Sequence, residues 1–138
     1  MSADVPITLA TFAGRTCASS GSPWEPVFGY SRAVRSGAFI AVSGTVGLNA
    51  DRSYPATLAE QTRQAFEIVR GAIEALGGTL EHVVRTRMFV LDIDEAREAT
   101  AVHGEFFRDI RPACTLLEVS RLIDDRALIE IEADAIVG

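Results

Sequence analysis

The sequence predicts an α+β domain of two layers, a mixed six-stranded sheet carrying two helices on one face. Three observations lead there. Strand-like segments come in pairs at both ends of the chain, one long segment from Thr57 to Leu76 has helical periodicity, and the last segment alternates strictly between apolar and acidic residues. With 138 residues and 48% hydrophobic content, residues 1–138 form a single domain able to bury a core without disulfide or metal staples.

The elements follow in order. A short strand is expected over Ile7 to Phe12, and Gly14 to Pro26 collects Gly, Ser and Pro around the single Trp24, so it reads as a loop. Tyr30 to Arg35, the turn Ser36-Gly37 and the run Phe39 to Gly44 make a hairpin whose second strand reads as buried on both faces. After a loop from Asn49 to Pro55, Thr57-Leu58-Ala59-Glu60 fits a capping box, in which hydroxyl and carboxylate satisfy free amides reciprocally. Leu58, Ala65, Phe66, Val69, Ala72, Ile73 and Leu76 then form one stripe, and Gly77-Gly78 permits the left-handed turn that stops a helix. Val83 to Leu91 alternates as a strand, with Arg85 and Arg87 on one side and Thr86 and Met88 on the other. Asp92 or Asp94 can cap a second helix to about Phe107, with Ala99, Val102 and Phe106 inward. Strands over Cys114 to Leu122 and Ala127 to Val137, joined by the turn Asp124-Asp125, close the chain as a second hairpin. With both helices on one face, the other face of a sheet rich in Val, Ile and Phe is expected to bury itself against another subunit.

Bulk properties exclude several classes. The net charge of -6 and the lack of a Lys/Arg run disfavour nucleic-acid binding. Met1 to Pro6 shows no basic flank or apolar core of signal length, and no stretch approaches a membrane span, so a cytoplasmic protein is expected. Cys17 and Cys114 are far apart and lack metal-ligand spacing, so neither a disulfide framework nor a metal site is expected, and no cofactor is implied.

The candidate chemistry lies near the C-terminus. Glu130, Glu132 and Asp134 share one face of a strand whose other face is Ile129, Ile131, Ala133, Ala135 and Val137. Preceded by the strand that opens Arg111-Pro112-Ala113-Cys114, this acidic face suggests a cleft in which a carboxylate handles a water or a proton. On spacing alone each of the three is a candidate base, an interface carboxylate or a solvated charge. Cys114 is either a packing residue or a thiol activated by Arg111 or His103, and His103 is otherwise a structural helix residue. Arg35, Arg87 and Arg111 are candidate sources of positive charge or ordinary surface charges. Tyr30 either hydrogen-bonds a ligand or covers its pocket, and Trp24 and Phe28 are a lid or pin their loop.

The chain resembles the Rid family of reactive intermediate imine and enamine deaminases, also called YjgF-like. The resemblance runs from about Tyr30 to Val137 and is carried by Gly29-Tyr30, Val42-Ser43-Gly44, Glu60-Gln61-Thr62, Val83-Val84-Arg85-Thr86 with Phe89-Val90, Phe106-Phe107, Pro112-Ala113 and Ile129-Glu130-Ile131-Glu132-Ala133. It implies a chorismate-mutase-like fold assembled as a homotrimer around a central barrel, with clefts between adjacent subunits. It implies that Glu130 orients an attacking water and that Tyr30 and the backbone at Gly44 line the pocket. Thr100 falls where some members place a substrate-binding asparagine on the second helix. Where catalytic members place a substrate-clamping arginine, this chain has Cys114, and a thiol offers neither its charge nor its fork of donors. Arg111 is the nearest replacement in sequence.

Three functions compete. One is hydrolysis (deamination) or tautomerisation of a small reactive enamine or imine, other than a simple 2-imino acid, with Glu130 as base. A second is non-catalytic binding of a small metabolite in the same cleft. The third, nuclease or translation-inhibitor activity, is opposed by the acidic balance and the absence of a basic groove.

Overall fold

In the computed structural model, which describes residues 4–138, one seven-stranded sheet runs through the molecule in the order β1-β2-β3-β4-β7-β5-β6. Its strands are β1 (Thr8–Phe12), β2 (Arg15–Ser19), β3 (Ala33–Ser36), β4 (Phe39–Val46), β5 (Val83–Val90), β6 (Ala113–Glu118) and β7 (Ile129–Ile136). The helices are α1 (Trp24–Phe28), α2 (Leu58–Ala75) and α3 (Ala96–Phe107), with 3₁₀ turns at Leu80–His82 and Ile93–Glu95. All neighbours pair antiparallel except β5 and β6.

The helix starting at Thr57 forms as its sequence dictates. Thr57 Oγ1 accepts from the Glu60 amide at 3.1 Å, and Glu60 reaches back to the Thr57 amide at 3.4 Å. Its whole apolar stripe is buried, and it packs on β4, β7 and α3. At its far end Arg35 donates to the Leu76 carbonyl at 2.7 Å, placing a cation where the helix dipole is negative. In α3 Ala99, Val102 and Phe107 are buried, whereas Phe106 is only partly so. Asp92 caps the preceding 3₁₀ turn by accepting from the Asp94 amide.

Four expectations need correction. The segment read as a loop from Gly14 to Pro26 contains β2 and the five-residue α1, so the sheet has seven strands rather than six. Cys17 and Ala18 are buried side by side, without the alternation that marks a half-buried strand, and α1 is too short to show a helical period. The last two strands do not form a hairpin: β7 inserts between β4 and β5, and β6, ending at Glu118, runs parallel to β5 on the edge. Strand β4 alternates in burial instead of being buried on both faces. Finally, the face away from the helices is mixed rather than apolar. Arg87 there bridges Glu132 at 3.5 Å and Asp134 at 3.4 Å, beside exposed Phe39, Leu117 and Ile136.

One buried amide ties the helix layer to the sheet end that carries the cavity described below. Gln61, 2% exposed, donates to the carbonyls of Pro55 and Arg126 and accepts from the Leu128 amide at 2.8 Å. Replacing it with Leu strands three backbone groups. Gln61→Leu is expected to lower unfolding free energy by about 2–3 kcal/mol in urea denaturation, with β4 and β7 amides near the loop losing hydrogen-exchange protection first.

Candidate functional site

A cavity of about 240 Å³ opens where α1, the start of β3, the end of β4 and the start of β7 converge. Local rules bring the wall together. Gly29, at φ 81°, ends α1 with its amide on the Glu25 carbonyl at 2.9 Å, and the chain reverses so that Tyr30 faces the cavity. Trp24, Phe28 and Tyr30 form a continuous aromatic wall, with successive ring centroids 5.5 and 6.0 Å apart.

The floor is built by a bulge in β4. Val42 pairs with Ala133 and Thr45 with Ile131, so Ser43 and Gly44 together oppose the single residue Glu132. Beyond the bulge Val46 faces Glu130. A side chain at position 44 would place its Cβ 2.9 Å from both Cδ and Oε2 of Glu130, so only glycine leaves room for that carboxylate. Burial pushes the Glu130 carboxyl above the ordinary carboxylate range; the Arg32 charge opposes this and Glu132 reinforces it.

Arg32 is 7% exposed and lines the same cavity. Nη1 donates to the Gly44 carbonyl at 2.6 Å and to Thr45 Oγ1 at 3.1 Å, Nε to Ser20 Oγ at 3.2 Å, and Nη2 to the Tyr30 hydroxyl oxygen at 3.3 Å. Ser20 Oγ in turn donates to Glu25, a buried carboxylate that also accepts from the Ser20 and Ser22 amides. At the mouth, Arg126 grips Asp124 through Nη2 at 2.8 Å and Nε at 3.1 Å and stacks 4.8 Å over the Tyr54 ring. These Arg126 hydrogen bonds hold Asp124 down to about 2, while burial and then the Asp124 charge push Tyr54 up to about 12.

Five of the residues read from sequence meet here, namely Trp24, Phe28, Tyr30, Gly44 and Glu130. Within one chain the others lie elsewhere. Cys114 is exposed on edge strand β6, opposite Thr86, which pairs with Ala133; in-register partners share a sheet face, so it lies on the helix side, opposite the face of Glu130. Arg111 is exposed, at φ 56°, and its Nε donates to the Arg108 carbonyl. Thr100 is exposed on α3 and bonds the Arg97 carbonyl. His103 sits 2.8 Å from Thr86 Oγ1 among Phe66 and Phe107, and burial lowers its pKa, which is the structural reading of that residue. Arg35 caps α2 and Arg87 pairs with β7. Sequence reasoning missed Arg32 and Arg126 as wall residues. Position 32 follows Tyr30 at the two-residue spacing of an extended segment, a signal that was present. Among the described residues no group of His, Cys, Asp and Glu side chains is placed to hold a metal ion.

Residues 21–137 match the family described as Endoribonuclease L-PSP, a span that begins after β2. A crystal structure of a member of the YjgF/YER057c/UK114 family from Mycobacterium tuberculosis superposes with a TM-score of 0.83 at 45% identity, covering 89% of this chain and 99% of that one. An uncharacterised protein of Streptomyces coelicolor is 38% identical over 86% of this chain and 90% of its own length. The 2-iminobutanoate/2-iminopropanoate deaminase of Escherichia coli is 32% identical over 88% of this chain and 97% of its own length.

The raised Glu130 pKa has a consequence for stability. A carboxyl whose folded pKa exceeds its unfolded one binds its proton more tightly when folded, so its ionisation lowers stability as pH rises through that interval. Glu130→Gln is therefore expected to melt above the wild type at pH 7. The difference should vanish below the ordinary carboxylate range, and a variant that melts lower at pH 7 would contradict the burial that raises this pKa. Gly44→Ala should instead lower the melting temperature at either pH, because its methyl meets the Glu130 carboxyl group in both protonation states.

Proposed function

The chain belongs to the endoribonuclease L-PSP family, which includes YjgF and Rid proteins, and from that premise we propose that it hydrolyses or tautomerises a small reactive enamine or imine in the cytoplasm, with Glu130 as base. The observation that carries this reading is the Glu130 carboxylate set against Gly44 in a small cavity with an aromatic wall. A base works best when its pKa lies near the working pH, and burial moves Glu130 in that direction. In hydrolysis, a water oxygen bonds to the iminium carbon and gives its proton to Glu130. The C–N π pair moves to nitrogen, Glu130 returns its proton to that nitrogen, and the carboxylate then takes the hydroxyl proton as the C–O π bond forms and the C–N bond breaks to release the amine. In tautomerisation the same carboxylate carries a proton between carbon and nitrogen.

The substrate is not a simple 2-imino acid. Cys114 carries no positive charge in the position where catalytic relatives hold the substrate carboxylate. The net charge of -6 and the size of the cavity weigh against an RNA substrate. The same Cys114 substitution favours a second reading, a family member that binds a small metabolite without turnover. The working unit is a homotrimer, its clefts completed between subunits. Exposed Phe39, Leu117 and Ile136 on the uncovered sheet face support this.

Two measurements check this reading. Light scattering is expected to give a mass near three times the 14.8 kDa of the chain, and a monodisperse monomer would sink the intersubunit cleft. Against a panel of small imines and enamines, Glu130→Gln is expected to lose on the order of 10²-fold in turnover while keeping ligand affinity. Binding without turnover by the wild type would establish the metabolite-binding reading instead.

A further inference from the structure

Among the described residues, Arg32 has no carboxylate within salt-bridge distance, although every other arginine at the cavity is exposed or ion-paired. A buried guanidinium is costly unless its donors and its charge are both answered. Its donors are nearly answered. Nε and both Nη1 hydrogens go to neutral oxygens, one Nη2 hydrogen goes to the Tyr30 hydroxyl, and one Nη2 hydrogen has no partner. No anion touches it: the guanidinium carbon lies 5.5 Å over the Tyr30 ring, and Glu25 through Ser20 and Glu130 across Gly44 act at a distance. Because the Tyr30 oxygen accepts from Arg32, its own O–H is left to donate to something else. The cavity therefore holds two adjacent unclaimed donors, Tyr30 O–H and Arg32 Nη2–H, backed by a full positive charge in a poorly solvated place.

We propose that Arg32 and Tyr30 form an anion-binding subsite that seats a carboxylate of the ligand and determines specificity. This deepens the function proposed above and rests on it for the identity of the reacting group, but not for binding itself. The geometry also separates this anchor from position 114. Glu130 lies on β7; Arg32 leads into β3, two strands away on one side, whereas Cys114 is on β6, two strands away on the other. The ligand class is a small organic anion whose charged end fits beneath the Trp24, Phe28 and Tyr30 wall.

The test uses the full chain and a pair of probes of equal shape, propionate and propionamide, titrated while backbone amide resonances are followed by NMR. The wild type should bind propionate in preference to propionamide, with shifts concentrated at Tyr30, Gly44 and Thr45. Arg32→Gln should weaken propionate binding by about tenfold or more, as loss of a charge-assisted hydrogen bond requires, leave propionamide binding unchanged, and so abolish the preference. Arg32→Lys should keep part of it. Folding of each variant is read from its amide spectrum. If Arg32→Gln does not fold, the wild-type shift map alone decides, because Arg126→Gln should leave it in place. The proposal is overturned if neither probe binds at millimolar concentration, if the two bind equally, if the shifts centre on Arg126, or if Arg32→Gln folds and binds propionate as the wild type does. Failure of the Glu130→Gln turnover test with this preference intact would refute the base and leave the anion subsite standing.

Discussion

The antiparallel pairing of β4 with β7, interrupted by one bulge, is the constraint on which the site depends. Normal pairing from Phe39 to Val42 packs the apolar face of β7 under α2, and the two-against-one count at Ser43 and Gly44 then shifts the remaining pairs by one residue. That shift sets Glu130 opposite Val46, and the missing side chain at Gly44 lets its carboxylate lie against the β4 backbone. It also leaves the Gly44 carbonyl to accept from Arg32. One backbone irregularity thus positions a carboxylate and a guanidinium around the same glycine.

The electrostatics of the cavity follow from that placement. Burial favours neutral Glu130, and the Arg32 charge offsets part of that effect. A direct ion pair would have taken the donors of Arg32 and the acceptor oxygens of Glu130 out of play. Neutral partners around Arg32 hold its plane fixed while leaving its charge available, and the Glu25 and Ser20 relay behind it fixes Ser20 as an acceptor.

Arg126 makes the contrast clear. It is exposed, bidentate to Asp124 and stacked on Tyr54, so both its charge and its fork of donors are spent on shaping the mouth. Gln61 extends that role inward, since it binds the Arg126 carbonyl and the Leu128 amide just before β7 begins. Helix α2 therefore does more than cover the sheet: it sets where the loop ahead of β7 crosses and hence where Glu130 enters the cavity.

Local patterns determined much of this molecule. The capping box and stripe of α2, the β3 and β4 hairpin, and the alternation that splits Glu130 from Ile129 and Ile131 are all set by residues near one another in the chain, and they were legible as such. Tyr30, Gly44 and Glu130 were legible as site residues through the family resemblance, which carries spatial information that spacing alone lacks. Only the tertiary structure decided the rest. Whether β7 pairs with β6 or passes between β4 and β5 depends on which apolar faces can be buried together, and adjacency in sequence does not encode that. Strand β2 exists because β1 and β3 offer it partners on both sides. Arg32 became a buried charge, and Arg35 and Arg87 helix-capping and paired ones, through acceptors up to forty-seven residues away, a property of the folded neighbourhood and not of the arginine itself.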